Sequence, residues 1–332
     1  MSRRVTMADV AREAGVSLMT VSRALNDKDG ISETTRMRIH EVIDRLGYRP
    51  SGIARGLVTK RTGTIGLVVP DSSNPYFSEV ARGVEHAAYL QGYNVFLCNT
   101  EEDIEREKTV LYSLAERSVD GLIICSSRLD QEDLRTSLIY FSAQVLVNRT
   151  LENSSAVALL SDDTSGVCSA VRHLLQRGHR KIGMLAGPER SFNGRVRLRA
   201  FLDALNDAGI GCNSDFDQNC LPMVDASQQA AVDLLTRHPQ LTALVCFNDL
   251  VAVGALKACA QLGRAVPQDM AIIGFDDIPL ASLVTPPLTT VHVPRYELGQ
   301  LAGKTVLAQI HGEAAVGDCV LPVKFVIRGS AP

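Results

Sequence analysis

The 332-residue chain has no tryptophan, and aromatic residues make up only 5% of it. No binding site in it can rest on an indole ring. It also lacks any apolar run near the roughly 20 residues that a membrane-spanning helix needs. Its basic N-terminus is not followed by the apolar segment of a secretory signal. The expected location is therefore the cytoplasm. Eight cysteines stand at 98, 125, 168, 212, 220, 246, 259 and 319, with no C-x-x-C pair and no histidine at metal-ligand spacing. Such cysteines read as reduced, small apolar residues, and neither a disulfide framework nor a metal centre is expected.

Catalytic signatures are missing as well. There is no G-x-S-x-G elbow. GQLAGKT (299–305) imitates a phosphate loop, but the spacing needs a glycine at 298, where Leu298 stands, and the segment lies in a helical pattern. The carboxylate pairs Asp162/Asp163 and Asp276/Asp277 would have to face each other across a bond, about 5–10 Å apart, to cleave a glycoside. Neighbours at a strand end point apart instead. An enzyme is not expected, nor a cofactor.

What is present begins with TMADVAREAGVSLMTVSRALN (6–26). Thr6 and Asp9 are spaced to answer each other's backbone amides at a helix start. Ala8, Val10, Ala11 and Ala14 give that helix a small apolar face, and Gly15 ends it. Ser17 can cap a second helix in which Val21, Ala24 and Leu25 recur at i, i+3 and i+4. Leu18, Met19, Thr20, Ser22, Arg23 and Asn26 point elsewhere, several of them donors suited to base edges and phosphates. Two short helices about a glycine turn are the helix-turn-helix pattern, whose second helix enters the major groove. The same geometry also occurs as plain helix packing, so the neighbourhood matters. Ser32 caps a third helix with Ile39, Val42, Ile43 and Leu46 on one face. Residues 1–61 hold 12 Lys+Arg against 7 Asp+Glu (+5), and the remaining 271 hold 22 against 30 (−8). A basic head on an acidic body means that only the head approaches phosphate.

From Thr64 the texture changes. Unalternating apolar runs (TIGLVVP, YNVFLCNT, VDGLIIC, AQVLVN) are separated by helical stretches. The rhythm restarts with AVALLSDD and RKIGMLAGP, a strand at Leu221–Val224, LTALVCFND, MAIIGFDD and TTVHVP. This is the pattern of parallel sheets covered on both faces, in two successive doubly wound α/β units. Such sheets bind ligands beyond the carboxyl ends of their strands. Asp71, Asn148, Arg149, Asp162, Asp163, Asn248, Asp249, Asp276 and Asp277 all stand there. Taken singly, such residues are turn or cap residues. Repeated in both units they outline a cleft for a polyhydroxylated ligand.

The motifs, taken in order, resemble the lactose-repressor/galactose-repressor (LacI/GalR) family of bacterial transcription regulators. They are the helix-turn-helix stretch, YRPSGIARGL, SSNPYFSEVARGVE, VDGLII, HLLQRGHRKIGMLAGP, FNDLVAVGAL and VPQDMAIIGFDDIPLASLVTPPLTTVH. The resemblance implies a homodimer on a pseudo-palindromic double-stranded operator, with a sugar-like effector, a monosaccharide or derivative, between two subdomains like those of periplasmic binding proteins. It implies a DNA-binding head at 1–48, a hinge at 49–62, and an effector-binding and dimerisation domain at 63–332. That domain divides into an N-subdomain (63–161 and 293–322) and a C-subdomain (162–292 and 323–332).

Carried over by position, Ser17, Leu18, Met19, Thr20, Ser22, Arg23 and Asn26 meet DNA. Arg23 is placed to read guanine, and Leu18 and Met19 form the pair that sets operator choice. Thr6, Ser32, Thr35 and Tyr48 hold phosphates, the hinge residue Ala54 meets DNA, and the hinge leucine Leu57 wedges into a central minor-groove step and bends the duplex. Asn74, Tyr76, Phe77, Asn148, Arg149, Ser161, Arg195, Asn248 and Asp276 line the effector cleft. Ser51, Val293 and the absence of tryptophan near Pro222 and Met223 depart from the family pattern, so the resemblance names no particular sugar. The C-terminus carries no leucine heptad, so a dimer rather than a tetramer is expected. The rival readings are a regulator answering mainly to a protein partner and, more remotely, a sugar-active enzyme.

Overall fold

Thr6 opens the first helix. Its backbone N–H donates to Asp9 Oδ2 (3.0 Å), and Asp9 N–H answers to the Thr6 hydroxyl. The helix that follows, α1 (Met7–Ala14), stops at Gly15, whose φ of 64° suits a residue without Cβ. α2 (Leu18–Leu25) and α3 (Glu33–Leu46) complete the head, α3 being capped by Ser32. Val10, Ala11, Ala14, Val21, Ala24, Ile39, Val42 and Tyr48 form its small core. The computed structural model describes residues 5–25, 29–49, 61–211 and 214–332. The chain divides into two units, Met1–Thr62 and Gly63–Pro332.

The body runs β1 (Thr64–Val69), α4 (Pro75–Tyr89), β2 (Asn94–Asn99), α5 (Ile104–Glu116), β3 (Gly121–Cys125), α6 (Gln131–Leu138), β4 (Gln144–Val147) and β5 (Val157–Ser161). It continues through α7 (Asp163–Gln176), β6 (Ile182–Ala186), α8 (Phe192–Asp207), β7 (Asp217–Asn219), α9 (Val224–Arg237), β8 (Ala243–Cys246), α10 (Asp249–Gln261) and β9 (Ala271–Ile273). Last come α11 (Pro279–Leu283), β10 (Thr290–His292), α12 (Arg295–His311), β11 (Cys319–Leu321) and β12 (Lys324–Val326).

Two parallel sheets result. One has the order β11-β5-β4-β3-β1-β2 and the other β7-β6-β8-β9. β10 and β12 pair antiparallel beside the second. The chain therefore crosses between the sheets three times, after β5, after β10 and after β11. Strands with helices on both faces are largely apolar, and every residue of β1, β3, β4, β6 and β8 is buried. β2 lies at one edge of its sheet and leaves Phe96 and Leu97 46% and 49% exposed.

One expected strand is misplaced. Leu221–Val224 is not a strand: the pairing segment is the polar Asp217–Asn219, and Val224 already starts α9. An edge strand bonded on one side to β6 needs no apolar run, so hydropathy pointed past it.

α4 and α12 pack with their backbones almost in contact. A Cβ added at Gly83 would lie 2.2 Å from the Tyr296 carbonyl oxygen, and one at Gly299 would lie 2.1 Å from that of Val80. The glycines of GQLAGKT thus serve helix packing.

Candidate functional site

In the head, Ser17 Oγ accepts from Thr20 N–H at 3.1 Å and bonds Thr20 Oγ1 at 2.8 Å, which caps α2. Past that cap α2 turns Val21 and Ala24 inward and leaves Leu18 and Met19 52% and 65% exposed. Arg23 is exposed too, with its guanidinium against the 29–31 loop: a Cβ at Gly30 would sit 3.3 Å from Arg23 Nη1. Ser22 is half-buried on the same helix.

The proposed phosphate contacts divide. Thr6 and Ser32 start α1 and α3, and their hydroxyls already serve the caps, bonding Asp9 and Thr35. Tyr48 is only 8% exposed and packs in the core of the head. Asn26, Ala54 and Leu57 lie outside the described residues, as does most of the expected hinge.

In the body, strand ends from both sheets converge on one cavity of about 30 Å³. Asn74, Tyr76, Phe77, Asn148, Asn248 and Asp276 line it. At its centre is Arg197, which sequence reasoning passed over. Arg197 Nε donates to Asp163 Oδ2 at 2.7 Å, Nη1 to the Phe247 carbonyl at 2.5 Å, and Nη2 reaches Asp276 Oδ1 at 3.5 Å. Its guanidinium lies 3.6 Å from the Phe275 ring centroid. Burial works against its charge, but Asp163 and Asp276 outweigh that and hold its pKa above the usual arginine value.

The network continues into the other subdomain. Asp163 Oδ1 accepts from Ser161 Oγ (2.6 Å), the Ser161 backbone N–H donates to Asn148 Oδ1 (3.2 Å), and Asn148 Nδ2 donates to Tyr76 Oη (2.7 Å). One chain of hydrogen bonds thus joins both walls of the cleft. Burial pushes the Asp276 carboxyl up to about 6, against the pull of Arg197 and Arg295. Burial likewise raises Asp249, which accepts from Thr290 Oγ1 (2.6 Å) and Ile278 N–H (2.8 Å) and braces the turn carrying Asp276.

Three expected residues do not line this cavity. Arg195 turns away, its Nη1 donating to the Glu189 carbonyl; two residues on an α-helix differ by about 200°, so Arg195 and Arg197 face opposite ways. Arg149 is buried behind the cleft, bonding the Leu129 carbonyl, with its Nε unpartnered among the described residues. Ser161 lines an adjoining cavity of about 250 Å³ that shares Asn148 and Asn193 with the first.

Besides Arg197, the structure adds Glu102, Ser126, Arg128, Ser191, Asn193, Pro222 and Phe247 to the lining. Glu102 and Ser126 follow β2 and β3, so the strand-end rule would have found them if applied to those strands. Glu102, Ser126, Asn148 and Asp276 all have left-handed backbone, with φ of 61°, 50°, 54° and 101°. Such strain gathers where geometry serves a ligand.

The adjacent carboxylates have other duties. Asp162 caps α7 through Ser165 N–H, and Asp277 pairs with Arg328 at 2.7 Å. Among the described residues no cluster of His, Cys, Asp and Glu is placed to hold a metal ion.

Residues 6–51 match the bacterial regulatory proteins of the lacI family, and residues 62–329 match the periplasmic binding proteins and sugar-binding domain of the LacI family. The chain belongs to the LacI family. It is a DNA-binding regulator, not an enzyme. Among curated relatives of this LacI-family regulator, the ribose operon repressor of Halalkalibacterium halodurans is 36% identical over 330 residues, covering 97% of this chain and 96% of its own. The transcriptional repressor PurR of Photobacterium profundum is 37% identical over 311 residues, with 92% of each chain covered. The lac repressor dimer bound to operator and the anti-inducer ONPF superposes with a TM-score of 0.87 at 27% identity, over 99% of each chain. No helix of the described residues is long and apolar enough to cross a membrane.

Proposed function

We propose that this protein acts in the cytoplasm as a homodimeric repressor of a carbohydrate-utilisation operon, released from or recruited to its operator by a monosaccharide bound in the cleft. The observation that carries the ligand reading is the lining itself. Asn74, Asn148, Asn193 and Asn248 share the lining with Asp276 and two engaged arginines, Arg128 and Arg197. Amides both donate and accept, as sugar hydroxyls do, and the aromatic faces of Tyr76 and Phe77 cover the apolar side of a ring. The ribose operon repressor among the relatives makes D-ribose the first candidate.

A cavity of about 30 Å³ holds two or three waters, so its walls rearrange when a sugar ring enters. The Tyr76–Asn148–Ser161–Asp163–Arg197–Asp276 network ties both subdomains to that event. A ligand shifts operator affinity only by its differential affinity for the two arrangements, typically about 1–3 kcal/mol.

For the dimer face we assign the open edge at β2. Phe96 and Leu97, with Tyr89, Leu90 and Tyr112 also exposed, offer apolar surface to a second copy. In the head, Arg23 takes the guanine-reading role, and Leu18 and Met19 contact thymine methyl groups or groove shape.

The test has two arms. Purified protein captures fragmented genomic DNA, and the recovered fragments are sequenced with and without D-ribose and other monosaccharides. A shared two-fold-symmetric site whose recovery changes with one sugar is expected. A sugar present at 100 times its Kd adds about 2.7 kcal/mol of stability, or about 5 °C in Tm for a unit of this size. Stabilisation by a nucleoside or another non-sugar metabolite, with none by any sugar, overturns the carbohydrate reading.

A further inference from the structure

The wall between the central cavity and the space in front of it is an ion pair. Glu102 follows β2 and Arg128 follows β3. Arg128 Nε donates to Glu102 Oε2 at 2.5 Å and Nη2 donates to Oε1 at 2.9 Å, a two-pronged fork. The third arm, Nη1, donates to the Ser126 carbonyl at 2.5 Å. The Arg128 backbone N–H is held in turn by the buried Glu107 carboxyl at 3.0 Å. The Arg128 side chain is 5% exposed. It is pinned at both ends, not a side chain free to swing.

Two cavities meet at this pair. The central one lies behind it. A larger one of about 390 Å³, reaching Arg190, Asn219 and Leu221, lies in front. Among the described residues, only Glu102 and Arg128 line both. The front space is roomy enough for a second sugar ring, and the fork stops the first ring from extending into it.

The fork also sets the charge of the site. Its guanidinium is met by Glu102, as Arg197 is met by Asp163 and Asp276. The lining holds two carboxylates, Glu102 and Asp276, and two guanidinium groups that are both already engaged, so neither arginine is left over to receive a phosphate or a carboxylate. An anionic ligand would exchange its hydration for a site in which every lining cation is already paired, which is unfavourable.

We propose that the Glu102–Arg128 pair determines specificity, restricting the effector to a single uncharged ring. This rests on the cleft being the effector site. The test uses the full-length protein in thermal-shift titrations with neutral pentoses and hexoses, D-ribose 5-phosphate, D-gluconate and cellobiose. Wild type is expected to be stabilised by a neutral monosaccharide and not by the other three.

E102Q keeps the shape but unmasks the Arg128 charge. It is expected to bind D-ribose 5-phosphate or D-gluconate at least tenfold more tightly than wild type does. The double variant E102A/R128A removes both charges together and joins the two spaces. It is expected to gain at least tenfold for cellobiose without gaining for the anions. Unfolding midpoints without ligand show that each variant is folded, and the isosteric E102Q carries the charge test if the double variant is not.

Folded variants that rank the ligands as wild type does overturn the proposal. So does a wild-type protein that answers D-ribose 5-phosphate or cellobiose as strongly as a neutral monosaccharide. A wild type answering no sugar at all overturns the cleft reading itself and the proposal with it.

Discussion

Gly299→Ala gives a stringent test of how the body is held together. The added Cβ would lie 2.1 Å from the Val80 carbonyl oxygen, 2.9 Å from its carbonyl carbon and 3.0 Å from its Cα. These are backbone atoms of a neighbouring helix, so no side chain can rotate away. α4 and α12 must separate by about 1 Å to restore ordinary contact. Overpacking of this kind costs about 1–3 kcal/mol, and backbone contact places it at the upper end. Alanine returns about 1 kcal/mol through its better helix propensity. The net loss is about 2 kcal/mol, which lowers Tm by about 4 °C for a unit of this size. The assay is thermal unfolding of the full chain, followed by far-ultraviolet circular dichroism. Gly317→Ala is the control, since no atom lies within 4 Å of its Cβ and its φ is not left-handed; its midpoint should stay level or rise slightly. A Gly299→Ala protein as stable as wild type would refute the steric reasoning.

Two further outcomes follow from the cleft. Asp276 has a folded-state pKa raised to about 6, above the unfolded value of 3.8. The folded state therefore holds a proton that the unfolded state has lost, so this group's contribution to stability falls as pH rises from about 4 to 6. A sugar hydroxyl donating to Asp276 needs the carboxylate, so affinity should drop about tenfold per pH unit below 6, measured by calorimetric titration. D276N should flatten that slope; an unchanged slope would remove Asp276 from the contact. Arg197→Met leaves Asp163 and Asp276 buried without their cation, and loss of one partner from a buried ion pair costs about 3–5 kcal/mol. The triple variant R197M/D163N/D276N should recover much of that Tm loss. A triple variant no more stable than R197M would show that packing, rather than charge, is what the arginine supplies.

How much could be read beforehand depended on how loudly each residue's environment is written into its neighbours. The runs TIGLVV and GLIIC are buried on both faces, and burial on both faces leaves a continuous apolar string that nothing else mimics. The reciprocal Thr6–Asp9 cap was legible because both partners lie within one turn. β7 was missed because an edge strand of Asp, Gln and Asn has no hydropathy signature. β11 and β12, three residues each, take their identity from partners more than 30 residues away in sequence. In the cleft, strand-end asparagines and Asp276 were found by position alone. Choosing Arg197 over Arg195 required the phase of α8, fixed by its Ser191 cap. The Glu102–Arg128 fork joins loops 26 residues apart and leaves no local mark.

The left-handed strand ends bear on how such a cleft can change its preferences. Backbone held at φ of 50° to 101° accepts Asn, Asp and Gly with least strain and excludes β-branched side chains. Glu102, Ser126, Asn148 and Asp276 can therefore explore only a narrow alphabet unless their loops are rebuilt. Phe77 on α4 and Asn193 on α8 face the same space from ordinary helical backbone and carry no such restriction. New ligands are thus most accessible through helix-borne positions, while the strand ends act as a fixed frame that successive variants inherit.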